Sequence, residues 1–159
     1  MQHDSYSDDY IRDILRDTQT IAMVGASTNW KRPSYFVMKY MQSKGFRVIP
    51  VNPGSAGEDL LGETVVASLS DISVPVDMVD IFRNSEAAGT VTDDAITIGA
   101  KIVWMQFSVR NEAAAQRAED AGLRVIMDRC PKVEYSRLHG ELAWNGFNSR
   151  IISSKRQKR

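Results

Sequence analysis

Residues 20–34 read Thr-Ile-Ala-Met-Val-Gly-Ala-Ser-Thr-Asn-Trp-Lys-Arg-Pro-Ser. An apolar run of strand length ends at Gly25, a polar loop follows, and Pro33 stands where the first turn of a helix would begin. Four further apolar runs of similar length lie at 46–51 (FRVIPV), 77–82 (DMVDIF), 101–105 (KIVWM) and 124–128 (RVIMD). Their near-continuous apolar character predicts a sheet covered on both faces rather than one with a wet side. Helical signals fill three of the gaps. Phe36, Val37, Tyr40 and Met41 form an apolar stripe after Pro33, stopped by Gly45; Asn84 or Ser85 caps a helix with Ala88, Val91, Ala95 and Ile98 inward, stopped by Gly99; Asn111 caps an alanine-rich helix that ends at Gly122. The remaining gap, 52–76, is rich in Gly, Ser and Pro and predicts an irregular crossover with a short helical piece near Glu58 to Leu61.

Strands alternating with helices predict an α/β fold, a Rossmann-like doubly wound five-stranded parallel sheet in the order 3-2-1-4-5 with helices on both faces. In that order the chain reverses between the first and fourth runs. The loops after Val24 and Met105 are then expected to flank the ligand crevice, with those after Val51 and Phe82 alongside.

The chain has 159 residues, 43% apolar and 25% charged, which suits one domain with a substantial core. Residues 1–138 are read as that domain, opened by a helix that Ser7 caps and that packs through Ile11, Ile14 and Leu15. Residues 139–159 are read as an extension with a basic tail, in which Trp144 and Phe147 pack over the domain or form a homodimer or partner contact. Four of the 20 basic side chains, Lys155, Arg156, Lys158 and Arg159, lie in that tail, so the rest of the chain is mildly acidic. Four charges without an aromatic platform argue against nucleic acid as the partner. No apolar run reaches the length of a membrane span, and the acidic start MQHDSYSDDY does not resemble a secretory leader, so the expected setting is the cytoplasm. A single cysteine, Cys130, and two distant histidines, His3 and His139, leave no disulfide framework and no metal site to expect.

The loop at Gly25 narrows the ligand. A dinucleotide fingerprint would place glycines where Ser27 and Trp30 stand, and an acidic residue at the end of the second run, where the sequence is Val51-Asn52-Pro53. A P-loop would need a second glycine at Trp30 and a hydroxyl at Arg32. What remains is one turn glycine, the hydroxyls of Ser27 and Thr28, the adjacent cations Lys31 and Arg32, and a helix amino end at Pro33. Such a loop favours an anion with more phosphate than NAD carries. Arg83, at the end of the third run, adds a third cation.

The stretches IAMVGAS with KRPSYFVMKYM, GFRVIPVNP, LLGETV with SLSDI, PVDMVDIFRNSEAA, GAKIVWMQFSVRNEAAA and AGLRVIMDRCPKVEYSRL occur in this order across roughly residues 10 to 138. Together they resemble the small single-domain CoA-binding proteins called YccU-like, relatives of the CoA-binding domain of the succinyl-CoA synthetase alpha subunit and of NDP-forming acyl-CoA synthetases. The resemblance implies that coenzyme A, free or acylated, lies across the strand ends. Gly25, Ala26 and Ser27 would approach the pyrophosphate, with charge from Lys31 and Arg32 at the helix opened by Pro33. Val51, Asn52 and Pro53 would border the adenosine, Phe82 and Arg83 would flank the nucleotide, and the loop from Gln106 to Val109 would lie toward the pantetheine arm. Where synthetase alpha subunits often carry a lysine after the corresponding Pro-Gly, this chain has Ser55, so that 3′-phosphate contact is not carried over.

A chain of this length has no room for the synthetases' histidine-bearing and ATP-grasp domains, and its carboxylates and histidines form no acid-base or nucleophilic set. The expectation is a binding protein without catalytic residues. Cys130 is the candidate reactive thiol, placed before Pro131 near a helix amino end that would stabilise a thiolate; packing as a small hydrophobe is the competing reading. An NAD(H)-binding sensor or enzyme on the same fold is the alternative function, opposed by the Asn52-Pro53 strand end. A protein-interaction module with an empty crevice is a third.

Overall fold

The structure, a computed structural model, describes residues 1–140. The basic tail, Trp144 and Phe147 lie outside the described residues.

All five expected strands form one parallel sheet: β1 (Thr20–Val24), β2 (Arg47–Val51), β5 (Met78–Ile81), β6 (Ile102–Met105) and β7 (Arg124–Ile126). Five helices, α1 (Asp8–Arg16), α2 (Pro33–Ser43), α3 (Ser85–Thr97), α4 (Glu112–Asp120) and α5 (Pro131–Leu138), accompany it. One face of the sheet packs on α3 and α4 through Ala22, Val24, Val79, Ile81, Val103 and Met105. The opposite face, through Ile21, Met23, Met78, Ile102 and Trp104, packs on α1, α2 and α5. Because side chains alternate along a strand, burial on both faces is what makes each strand apolar throughout.

Helix boundaries follow local chemistry. Ser7 accepts from the Tyr10 amide, Asn84 from Ala87 and Asn111 from Ala114, each capping its helix as the sequence predicts. Gly45, Gly99 and Gly122 follow their helices with positive φ. In α2 the inward face is Val37, Met38 and Met41, while Phe36, expected inward, is 48% exposed. One residue of helical rotation, 100°, separates the two readings.

The sheet order is β2-β1-β5-β6-β7. The 3-2-1-4-5 pattern is kept, but its third place is filled differently from the sequence expectation. Val66, in the crossover, makes a parallel bridge to Val51 on the outer side of β2, a rudimentary third strand. The run at 77–82 therefore takes the fourth place, beside β1. The point of chain reversal lies between β1 and β5, so the loops after Val24 and Ile81 flank the crevice, and the loop after Met105 is one strand further out.

The crossover also corrects the helix expected near Glu58 to Leu61. Two-residue strands β3 (Asp59–Leu60) and β4 (Glu63–Thr64) form a hairpin there, with Leu61 and Gly62 both at positive φ. That is the signature of a two-residue hairpin turn, which ordinarily reads Asn-Gly; leucine in its first position disguised it. Single 3-10 turns at Pro53–Ser55 and Leu69–Asp71 complete the segment.

Edge strand β7 is covered by the N-terminal segment. The Tyr10 hydroxyl donates to the Val125 carbonyl at 2.8 Å and accepts from its amide at 3.1 Å, and the Tyr6 hydroxyl accepts from the Met127 amide at 2.8 Å. Two tyrosines thus complete part of the ladder that the sheet edge leaves open.

Candidate functional site

At the carboxyl edge of β1 the chain must turn within van der Waals reach of β5. Gly25 has φ +90°, and a Cβ there would stand 2.4 Å from the Phe82 carbonyl oxygen. Its amide donates to Val51 O at 2.9 Å while the Phe82 amide donates to Val24 O at 2.8 Å, so these two bonds join the ends of β2, β1 and β5 around it. Only glycine meets both the dihedral and the space. Asn52 fixes the next loop to it: its Nδ2 donates to Ala26 O at 2.8 Å and its Oδ1 accepts from the Gly54 amide at 2.9 Å.

Beyond Gly25 the loop is held by its own polar side chains. Ser27 Oγ accepts from the Asn29 amide, Asn29 Oδ1 from the Lys31 amide, and the buried Ser34 Oγ from the Ser27 amide, each at 3.0 Å. These are turn-forming contacts that fix the backbone before any ligand arrives. The N-cap of α2 is Arg32, which makes no side-chain capping bond, whereas α3 is capped by Asn84. Partial positive charge at the start of α2 is therefore left facing the crevice.

Two hollows lie on either side of this ridge. The first, about 380 Å³, is bordered by Gly25, Ser27, Arg32, Ser34, Asn52 and Phe82, with Pro33 at its wall. The second, about 320 Å³, is bordered by Val24, Val51 and Pro53 on the sheet side, Leu69 on the crossover and Ala87 and Val91 on α3, with Arg83, Ser68, Thr90 and Asp94 supplying polarity. The first is polar and cationic, the second mainly apolar. Most of the expected site residues thus converge. Ala26 itself is buried between Gly25 and Ser27, its carbonyl held by Asn52.

Three do not. Lys31 borders neither hollow; its ammonium sits 5.6 Å from the centroid of the exposed Trp30 ring. Gln106, expected toward a pantetheine arm, is buried, with its side-chain amide against the Asp80 carboxyl, 3.0 Å from Oδ1 and 3.3 Å from Oδ2. Cys130 is 5% exposed at the N-cap of α5, and burial pushes its thiol above the ordinary range, against the activation a helix amino end would bring. The thiol, Gln106 and Asp80 neighbour one another, and Asp80, wholly buried in the central strand β5, is pushed well above the usual carboxylate range by loss of water. A neutral acid there is the physically cheaper state.

Ser34, Ser68, Thr90 and Asp94 were missed by sequence reasoning. Ser34 follows the conspicuous Lys-Arg-Pro run, and the others reach the crevice from the irregular crossover and from the second and third turns of α3, where no local pattern marks them.

Among the described residues no group of three His, Cys, Asp or Glu could hold a metal ion, and no helix is long and apolar enough to cross a membrane. A family model, the CoA binding domain, matches residues 19–136. The chain belongs to the CoA-binding-domain family. Within the family, YneT of Bacillus subtilis is 39% identical over 126 residues, covering 79% of this chain and 92% of its own. A hypothetical protein from Pyrococcus horikoshii superposes with a TM-score of 0.80 at 37% identity, over 87% of this chain and 96% of that one. The dinucleotide-forming acetyl-coenzyme A synthetase 1 of Candidatus Korarchaeum cryptofilum matches at TM-score 0.61 and 26% identity, over 71% of this chain but 26% of the synthetase. The CoA-binding domain here is thus similar to one portion of a much larger enzyme.

Proposed function

We propose that this chain binds coenzyme A, free or acylated, across the carboxyl ends of β2, β1 and β5, as a binding protein without catalysis of its own. The observation that carries the reading is the polarity of the paired hollows on either side of Gly25. A phosphate-rich ligand with an aromatic base needs one cationic pocket beside one apolar slot. In this reading Gly25, Ala26 and Ser27 bring backbone close to the pyrophosphate, and Arg32 with the amino end of α2 offsets its charge. Lys31 contributes field from the rim. Val51 and Pro53 border the adenosine, and Arg83 serves the 3′-phosphate that distinguishes coenzyme A from a plain dinucleotide. The Asn52-Pro53 end of β2, which offers no carboxylate, suits that phosphate and opposes the ribose contact that NAD uses.

The absence of chemistry in this reading is supported by where the histidines lie. His3 bonds Tyr6 through Nδ1 on the N-terminal segment, and the His139 ring stacks on Tyr135 at 3.9 Å on α5, both away from the residues that border the hollows.

Calorimetric titration with coenzyme A, dephospho-coenzyme A and NAD tests the proposal. The expected order is coenzyme A tightest, the dephospho form about tenfold weaker for the loss of one charge-assisted contact, and NAD weakest. Binding of NAD as tight as coenzyme A would overturn it.

A further inference from the structure

The second hollow contains a group that a phosphate site would not recruit. Asp94 borders it together with Ala87 and Val91, the three lying at i, i+4 and i+7 on one face of α3. The next residue back, Asp93, faces away and is bound by Arg117, Nε to Oδ1 at 2.8 Å; Asp94 has no ion-pair partner among the described residues. A carboxylate so placed repels phosphate. Arg83, at the opposite end of the same hollow beside Gly25, attracts it. From Ala87 near the amino end of α3, Asp94 lies about 10 Å along the helix. The hollow is therefore graded, from a cation next to the strand ends, past apolar walls of Val51, Leu69 and Val91, to an acceptor at its far end.

Resting on the coenzyme A reading above, we propose that Asp94 is the base-reading residue of the site, accepting a hydrogen bond from the 6-amino group of the adenine. An ionised carboxylate is an acceptor only, so it needs a donor from the ligand. Adenosine 3′-phosphate offers two kinds of donor, the ribose 2′-hydroxyl and the 6-amino group. The hydroxyl adjoins the 3′-phosphate and stays at the Arg83 end. The amino group is at the far edge of the base, where Asp94 stands.

The test is a cycle between ligand and protein: coenzyme A and its analogue with purine in place of adenine, which lacks only the 6-amino group, each titrated into wild type and Asp94→Ala. The cycle isolates the pair from any general change in field that losing one acidic residue brings. The expected result is an analogue about tenfold weaker than coenzyme A on wild type and indistinguishable from it on Asp94→Ala, the size of one hydrogen bond to a charged group. Asp94 is exposed on a helix surface, so the variant keeps the fold, and its melting curve verifies this. Equal binding of the two ligands to wild type, or unchanged discrimination in Asp94→Ala, overturns the assignment while leaving the coenzyme A reading standing. Failure of wild type to bind either ligand overturns both.

Discussion

Two loops leave the carboxyl edge of the sheet and lead into helices, the one after β1 at residues 25–32 and the one after β6 at 106–111. Both carry polar side chains at a position where this kind of fold gathers ligands. The first spends backbone and hydroxyl groups on holding its own shape, and leaves Arg32 and the uncapped start of α2 facing a hollow. The second turns inward: the Gln106 side chain reaches Asp80, the Ser108 amide donates to Asp128 Oδ1 at 2.6 Å, and Asn111 caps α4. What separates them is the neighbour of each strand. β1 meets β5 at the chain reversal, where the two outgoing chains diverge and open a crevice; β6 lies between β5 and β7, away from that reversal, and the polar side chains of its loop are taken up by internal contacts.

The largest way to break this contrast is at the ridge between the hollows. Gly25→Ala places a methyl 2.4 Å from the Phe82 carbonyl at a left-handed backbone angle. We expect about 3 kcal/mol of lost stability in denaturant unfolding together with loss of coenzyme A binding. A variant as stable as wild type would mean that the ridge relaxes easily and does not shape the site.

The same contrast is sharpened beneath the second loop. Burial raises the Asp80 carboxyl in the folded chain above its unfolded value near 4, so the neutral form is the one the fold favours. Its contribution to stability is complete below about pH 4 and is lost as pH rises through the folded value. Asp80→Asn keeps an acceptor toward Gln106 and removes the ionisation. Melting curves from pH 4 to pH 8 should show the variant gaining on wild type as pH rises, with its advantage greatest at the alkaline end. A constant difference across that range would mean that Asp80 is ionised in the fold and that Gln106 serves as its counter-dipole.

The five strands, three helix caps and three glycine stops, and the loop at Gly25 were legible because each is a local pattern: an apolar run, a turn glycine, an Asn or Ser before a helix. The place of the third strand was not, since a single bridge at Val66 carries too little apolar sequence to be seen, and with it went the position of the chain reversal. Lys31 and Arg32 are alike in sequence, yet only Arg32, in extended conformation at the N-cap of α2, borders the first hollow, while the Lys31 ammonium sits against the exposed Trp30 ring. Gln106 and Cys130 looked available from their positions at strand ends. Both are consumed by packing against the buried Asp80, a partner that nothing near them in sequence announces.

That pair of adjacent cations gives the most direct test of the central claim, that the site is a shaped phosphate hollow rather than a diffuse basic edge. Coenzyme A is titrated at one salt concentration into wild type, Arg32→Ala and Lys31→Ala, which lose the same charge from neighbouring positions. The account predicts about tenfold weaker binding for Arg32→Ala and less than threefold for Lys31→Ala. Equal losses, or a larger loss at Lys31, would contradict it.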